Sequence, residues 1–196
     1  NLLMSEASRI AMGWRSLEEF IRALEIRGEL LRVGHPVDVR FEAGCIADRL
    51  VKMGGPAVVF DQPRLDDGSI SRFPLAMNLF GTRERTNLAL GVNEPSEIGE
   101  MMVGLMKPDI GGIMKRPWTG IKLLRQGISM APNKVSKGKS QQVRIDDPDV
   151  TKLPIPITWP DDGGPFMTLP LVVTADPESG AHNMGMYRSQ VFGPRE

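Results

Sequence analysis

The 196-residue sequence predicts an α/β N-terminal domain followed by the beginning of a mainly β domain. Three observations carry this expectation. Over residues 12–110, capped helical patterns alternate with short apolar runs, in the order helix, strand, helix, strand, strand, helix, helix. The basic stretch 107–140 is broken by Gly and Pro and holds no sustained period. From residue 140 onward, apolar runs are punctuated by Pro- and Gly-rich turns, the pattern of strands. The expected divisions are an extension at 1–11, an α/β domain at 12–110, an irregular basic connection at 111–139 and a β segment at 140–196.

The elements follow in order. Ser16 with Glu19 makes a capping box, and Leu17, Phe20, Ile21 and Leu24 recur at helical spacing until Gly28. Residues 29–34, "ELLRVG", read as a strand. Phe41–Met53 reads as a second helix with Cys45, Ile46, Leu50 and Val51 turned inward, stopped by "GGP". "AVVF" at 57–60 is a short buried strand, 61–69 a loop, and "PLAMNLFG" at 74–81 another strand. Arg83–Leu90 and Glu97–Met106 are helical, and a short helix is expected near Ile121–Gln126. "SQQVRI" at 140–145 and "FMTLPLVVTAD" at 166–176 read as strands, joined by a proline-pinned loop. "DPESG" at 176–180 has the chemistry of a tight turn, after which the chain returns as a partner strand.

Composition excludes several classes. Lys plus Arg and Asp plus Glu both number 24, so no basic surplus points to nucleic acid or to an anionic membrane. No apolar run is long enough to span a bilayer, and the first residues lack the apolar core of a secretory signal. Cys45 is the single cysteine, which with these features gives a cytoplasmic reading. Two histidines, His35 and His182, cannot form a multi-histidine zinc site. His35 precedes Pro36 and reads as structural, His182 as a turn residue, and the twelve methionines as adaptable core filler. Asp161-Asp162-Gly163-Gly164 lacks the rest of a calcium loop and reads as a solvated turn. Lys115, Arg116, Lys122 and Arg125 read as a solvated basic linker.

The C-terminal stretch "LPIPITWPDDGGPFMTLPLVVTADPESGAHNMGMYRSQVFG" at 153–193 resembles the UbiD family of reversible carboxy-lyases. So do "LEEFIRALEIRGELLRV" at 17–33 and "MNLFGTRER" at 77–85, so the resemblance runs from Trp14 to Glu196. It implies that the β segment opens an FMN-binding split barrel, incomplete here, and that the cofactor is prenylated FMN made by a separate flavin prenyltransferase. It further implies Mn2+ and K+ at the cofactor phosphate, an aromatic or α,β-unsaturated carboxylic acid as small-molecule substrate, and a homo-oligomer when intact. A polyprenyl-hydroxybenzoate of ubiquinone biosynthesis is one such substrate.

Carried onto this chain, the resemblance makes Asn183 the metal ligand. It makes Asn183, Met184, Gly185, Met186, Tyr187 and Arg188 the cofactor-lining stretch, and Arg188 the catalytic residue. The chemistry suits the roles. A neutral amide oxygen ligates a hard cation without adding charge, and a planar guanidinium fits a carboxylate. Read by themselves, Asn183 is a local turn hydrogen bonder, Arg188 a surface ion-pair former and Tyr187 a strand packing residue. Asn183 and Arg188 are five apart, so an ideal strand puts them on opposite faces; a bulge at Gly185 is expected to break the alternation. The family's remaining ligands and proton-transfer carboxylates lie beyond this stretch, so the chain by itself is expected to be inactive. Two rival readings remain: a non-catalytic binding or assembly fragment, and a different split-barrel flavoprotein doing redox chemistry.

Overall fold

The computed structural model describes residues 14–106, 121, 128, 136–138 and 141–196. One compact unit is built from Arg15–Arg85 together with Asp146–Glu196, and the described residues of 86–145 belong with Trp14 to a second. In the first unit, α1 (Leu17–Ile26) leads to β1 (Leu30–Asp38), α2 (Glu42–Lys52), β2 (Ala57–Arg64) and β3 (Leu75–Met77). α3 (Arg83–Leu90) and α4 (Ser96–Met106) follow. After a 3-10 turn at Val150–Lys152 come β4 (Phe166–Met167), β5 (Leu171–Ala175), β6 (His182–Met186) and β7 (Ser189–Gln190).

Local chemistry sets the helix bounds. Ser16 Oγ accepts the Glu19 amide at 3.2 Å, and Glu19 reaches back to the Arg15 amide at 3.0 Å, one residue short of the reciprocal box. Gly28 and Gly54, at φ +71° and +62°, close α1 and α2 in left-handed turns. There the Glu29 amide reaches Leu24 O and the Gly55 amide reaches Leu50 O, so these last-turn carbonyls are satisfied.

The first sheet has the order β1-β2-β3, with β1 parallel and β3 antiparallel to the central β2. Ala57, Val58, Val59 and Phe60 are all buried, as a strand covered on both faces requires. Val58 and Phe60 pack with Val37 and with Ala43 of α2, flanked by Val33, Ile46, Leu50, Leu75 and Met77. On α1, Phe20 and Leu24 are buried, and the Phe20 ring stacks on Phe80 at 5.8 Å between centroids. The β1 register shifts between Val33 and Pro36, and Gln62 Nε2 donates to Gly34 O at 2.9 Å across that irregularity. Just past β1 an isolated parallel bridge forms. Ile157 bridges Arg40, its amide donating to Val39 O and its carbonyl accepting the Phe41 amide at 2.8 Å. A cavity of about 220 Å³ lies where Val39 and Leu65 face Leu153, Ile155 and Val191.

Several expectations change. β1 runs on to Asp38 and β2 to Arg64, so 61–64 is strand, held by pairing that local composition does not reveal. The strand at 74–81 shrinks to Leu75–Met77, because Asn78 turns the chain at φ +56°. Gln141–Ile145 carries no strand; Val143 and Ile145 are exposed, and no strand pairs with them among the described residues. The run 166–176 splits in two around Pro170, which lacks the N–H a continuous ladder needs. Cys45 and Val51 face solvent, since α2 turns Ala43, Gly44 and Ala47 inward. Met53, Met102, Met106, Met184 and Met186 are exposed, so these five methionines are not core filler. The basic cluster at 115–125 and, apart from Ile121, the expected helix near 121–126 lie outside the described residues.

Candidate functional site

The residues singled out from the sequence lie on and just after β6. β5 and β6 form an antiparallel hairpin pairing Thr174 with Asn183, Val172 with Gly185 and Leu171 with Met186. The turn between them is built from its own side chains: Asp176 Oδ1 accepts the Glu178 and Ser179 amides at 2.8 and 3.2 Å. Alternation places Asn183 and Gly185 on one face, and His182, Met184 and Met186 on the other with Leu171 and Val173. The Asn183 amide is exposed. The second face is apolar and exposed, with Leu171, Val173, Met184 and Met186 each more than 60% accessible.

Pairing is regular through Met186 and ends there, and it resumes in β7 at Ser189, now against β4. The interruption expected between Asn183 and Arg188 is present, but it falls at Tyr187–Arg188 as a switch of partner strand, not as a bulge at Gly185. Gly185 serves a different close approach. A Cβ there would lie 2.5 Å from Cε2 of Tyr187, so the absence of a side chain makes room for that ring. Tyr187 itself remains half exposed.

Arg188 turns away from the hairpin. Its Nη2 donates to Asp162 Oδ1 at 2.8 Å, and its Cζ lies over the Phe166 ring, 3.6 Å from the centroid, a cation–π contact. The Arg188 side chain is 49% exposed and that of Asp162 only 15%. Thr158 Oγ1 donates to Asp162 Oδ2 at 3.3 Å, and the Asp162 amide donates to Trp159 O at 3.1 Å. Asp162 thus sits in the expected turn, but its carboxylate is paired, not solvated. The sequence signal was the Asp-Asp-Gly-Gly stretch, but nothing local shows that its second carboxylate meets a guanidinium 26 residues on. Phe166, Thr158 and Gln190 were missed as well. Gln190 Nε2 donates to Gly163 O at 2.7 Å, tying β7 to the same loop.

The Arg188 hydrogen bond holds the Asp162 carboxyl below the usual carboxylate range, against the opposing effect of burial. Asp67 is lowered chiefly by Lys152 at 2.7 Å and then by Ser69, Asp149 by the Thr151 hydroxyl, and Asp176 by the Glu178 and Ser179 amides. All four are depressed in the folded state. Their contribution is therefore present above the unfolded value of about 3.9 and is lost as pH falls through the folded values. The denaturation midpoint is expected to stay flat between about pH 7 and 5 and to drop below about pH 4. Lys152→Met should flatten that acid slope, which a pH series of urea titrations measures; an unchanged slope would count against the Lys152–Asp67 contribution. No group of three or more His, Cys, Asp or Glu side chains able to hold a metal occurs among the described residues. None of their helices is long and apolar enough to cross a membrane.

Comparison with known proteins gives these observations a context. Residues 21–102 match the family described as 3-octaprenyl-4-hydroxybenzoate carboxy-lyase N-terminal domain, and residues 133–196 match its Rift-related domain. An uncharacterised protein of Archaeoglobus fulgidus is 41% identical over 181 residues, covering 92% of this chain and 36% of that protein. Among solved structures, the UbiD-class enzyme HmfF from Pelotomaculum thermopropionicum in complex with FMN superposes with a TM-score of 0.66 at 23% identity, covering 91% of this chain and 35% of that one. The vanillic acid decarboxylase of Sedimentibacter hydroxybenzoicus in its closed form gives 0.67 at 24%, with 92% and 36% covered. The 3,4-dihydroxybenzoic acid decarboxylase of Klebsiella pneumoniae gives 0.64 at 22%, with 91% and 35% covered. The chain thus spans about a third of the length of the relatives it matches. The fold of these neighbours is shared, and both of the matched regions are successive domains of one family: the chain belongs to the UbiD family.

Proposed function

We propose that the intact protein is a reversible, non-oxidative decarboxylase acting on aromatic or α,β-unsaturated carboxylic acids, with prenylated FMN as cofactor and Mn2+ and K+ at the cofactor phosphate. Residues 140–196 would open its flavin-binding split barrel. One observation carries the reading: the chain changes strand partner at the end of the Asn183–Arg188 stretch, with the Asn183 amide exposed on β6 and the Arg188 guanidinium half exposed beyond it. Membership of the family supports it, as do neighbours named as decarboxylases of aromatic acids and, for HmfF, described with FMN and with prFMN.

The residues present fit such a group. A flavin phosphate needs its charge offset in a partly buried site, and the exposed Asn183 amide offers a hard cation a neutral oxygen. Gly185, on the Asn183 face, and Tyr187 beyond it would line the cofactor beside it, whereas Met184 and Met186 lie on the other face of the hairpin. Prenylated FMN, when bound, supplies the electron sink for loss of a carboxylate from an sp² carbon. The chain's own part is binding and orientation: the Arg188 fork, over the Phe166 ring, would hold a carboxylate by paired, charge-assisted hydrogen bonds. In the cell such an enzyme would draw its cofactor from a flavin prenyltransferase, work in the cytoplasm and assemble as a homo-oligomer.

The test is reconstitution of the full-length protein with prenylated FMN and Mn2+, followed by assay against a panel of aromatic and unsaturated acids. Carbon dioxide release from at least one acid, with deuterium from heavy water entering at the decarboxylated carbon, is the expected result. Failure to bind flavin would favour an assembly module, and nicotinamide oxidation without carbon dioxide release would favour a redox flavoprotein.

A further inference from the structure

We propose that Asp162 is the positioning residue for Arg188, an inference that rests on the function proposed above. A guanidinium on a strand end has four flexible torsions, and a misplaced fork loses the geometric advantage that recommends arginine for carboxylates. Here three features fix it. The Asp162 carboxylate takes Nη2 at 2.8 Å; the Phe166 ring supports the guanidinium face at 3.6 Å; and Asp162 is Arg188's one hydrogen-bond acceptor among the described residues. The remaining N–H donors sit on a side chain half open to solvent, available to an incoming acid.

Asp162 is itself held in place. Its second oxygen accepts from Thr158, its amide closes a turn onto Trp159, and the next residue's carbonyl is clasped by Gln190. Gly163 and Gly164 let that clasp form, since a Cβ on either would stand 3.1 or 3.3 Å from Gln190 Nε2. The loop after Trp159 and the strand after Arg188 are thus joined twice, by Asp162–Arg188 and by Gly163–Gln190. The carboxylate also neutralises part of the Arg188 charge, so the site binds a monoanion by geometry more than by field strength.

The experiment is a double-mutant cycle in the full-length holoenzyme, with Asp162→Asn, Asp162→Glu, Arg188→Ala and Asp162→Asn/Arg188→Ala. Positioning predicts that Asp162→Asn lowers kcat by about 10–100-fold with KM nearly unchanged. Asp162→Glu should recover part of that loss, and the double variant should be no slower than Arg188→Ala. A second readout needs no substrate: phenylglyoxal labelling of Arg188, followed by peptide mass, should accelerate severalfold in Asp162→Asn. Wild-type kcat in Asp162→Asn, additive losses in the double variant, or an unchanged labelling rate would each overturn the inference. Full activity in Arg188→Ala would instead overturn the proposed site, which keeps the two failures distinct.

Discussion

Arg188→Ala in the full-length protein is expected to lower kcat/KM for the acid substrate by about 10²–10³-fold, the range for losing one oriented charge-stabilising group. The chain should still fold, because the side chain is half exposed and lies over one ring, outside the first-sheet core. Arg188→Lys should recover little. A lysine ammonium keeps the charge but has no planar fork to lie on Phe166 while engaging two acceptors. Stability offers an independent check. With Arg188 gone, the principal cause of Asp162's lowered pKa is gone, so its carboxyl returns toward the ordinary range. The stability difference between wild type and variant should therefore be present at neutral pH and shrink as acid protonates Asp162 in both. Steady-state kinetics and a pH series of denaturation curves measure the two effects; activity within about threefold of wild type would remove Arg188 from the site.

Phe60→Ala is expected to be the most damaging change to the fold, costing about 3–5 kcal/mol. The ring is fully buried on the central strand and packs in one cluster with Val37, Ala43 and Val58. Removing it leaves a cavity that two strands and a helix would have to collapse into, and domain stabilities are only about 5–15 kcal/mol. Cys45→Ser serves as the contrast. The thiol is exposed on the outer side of α2, so a change within about 0.5 kcal/mol is expected there. Urea titration of both variants decides the matter; a Phe60→Ala loss below about 1 kcal/mol would mean the cluster is not the core.

Much of the first half was legible because its signals are local. The Ser16 cap, the stops at Gly28 and Gly54, and the apolar run at Ala57–Phe60 act within a few residues, and the structure keeps each of them, with Glu19 reaching back to Arg15 in place of Ser16. α3 matches its expected bounds, and α4 begins one residue early, at Ser96. Legibility failed where a distant partner decides the outcome. Strand β2 continues through Asp61–Arg64 because β1 pairs beside it, although Asp and Pro there read as a loop. Cys45 seemed inward by its spacing, yet α2 packs through the smaller Ala43, Gly44 and Ala47. In the candidate site, the motif from Asn183 to Arg188 was visible, and so was the conflict with strand alternation. Its resolution was not, because a switch from β5 to β4 depends on where β4 lies. The Asp162–Arg188 pair was hidden for the same reason: each residue has an ordinary local reading, and only the fold brings them together.

The hydrogen bonds from Ile157 to Val39 and Phe41 carry a consequence for synthesis. A ribosome delivers Val39 well before its partner, which comes over a hundred residues later in the chain. At ordinary translation speeds the interval is on the order of ten seconds, long compared with hairpin or helix formation. For that time the edge beside Val39 is a nascent, unpaired strand, the kind of surface that chaperones shield and that neighbouring nascent chains can capture.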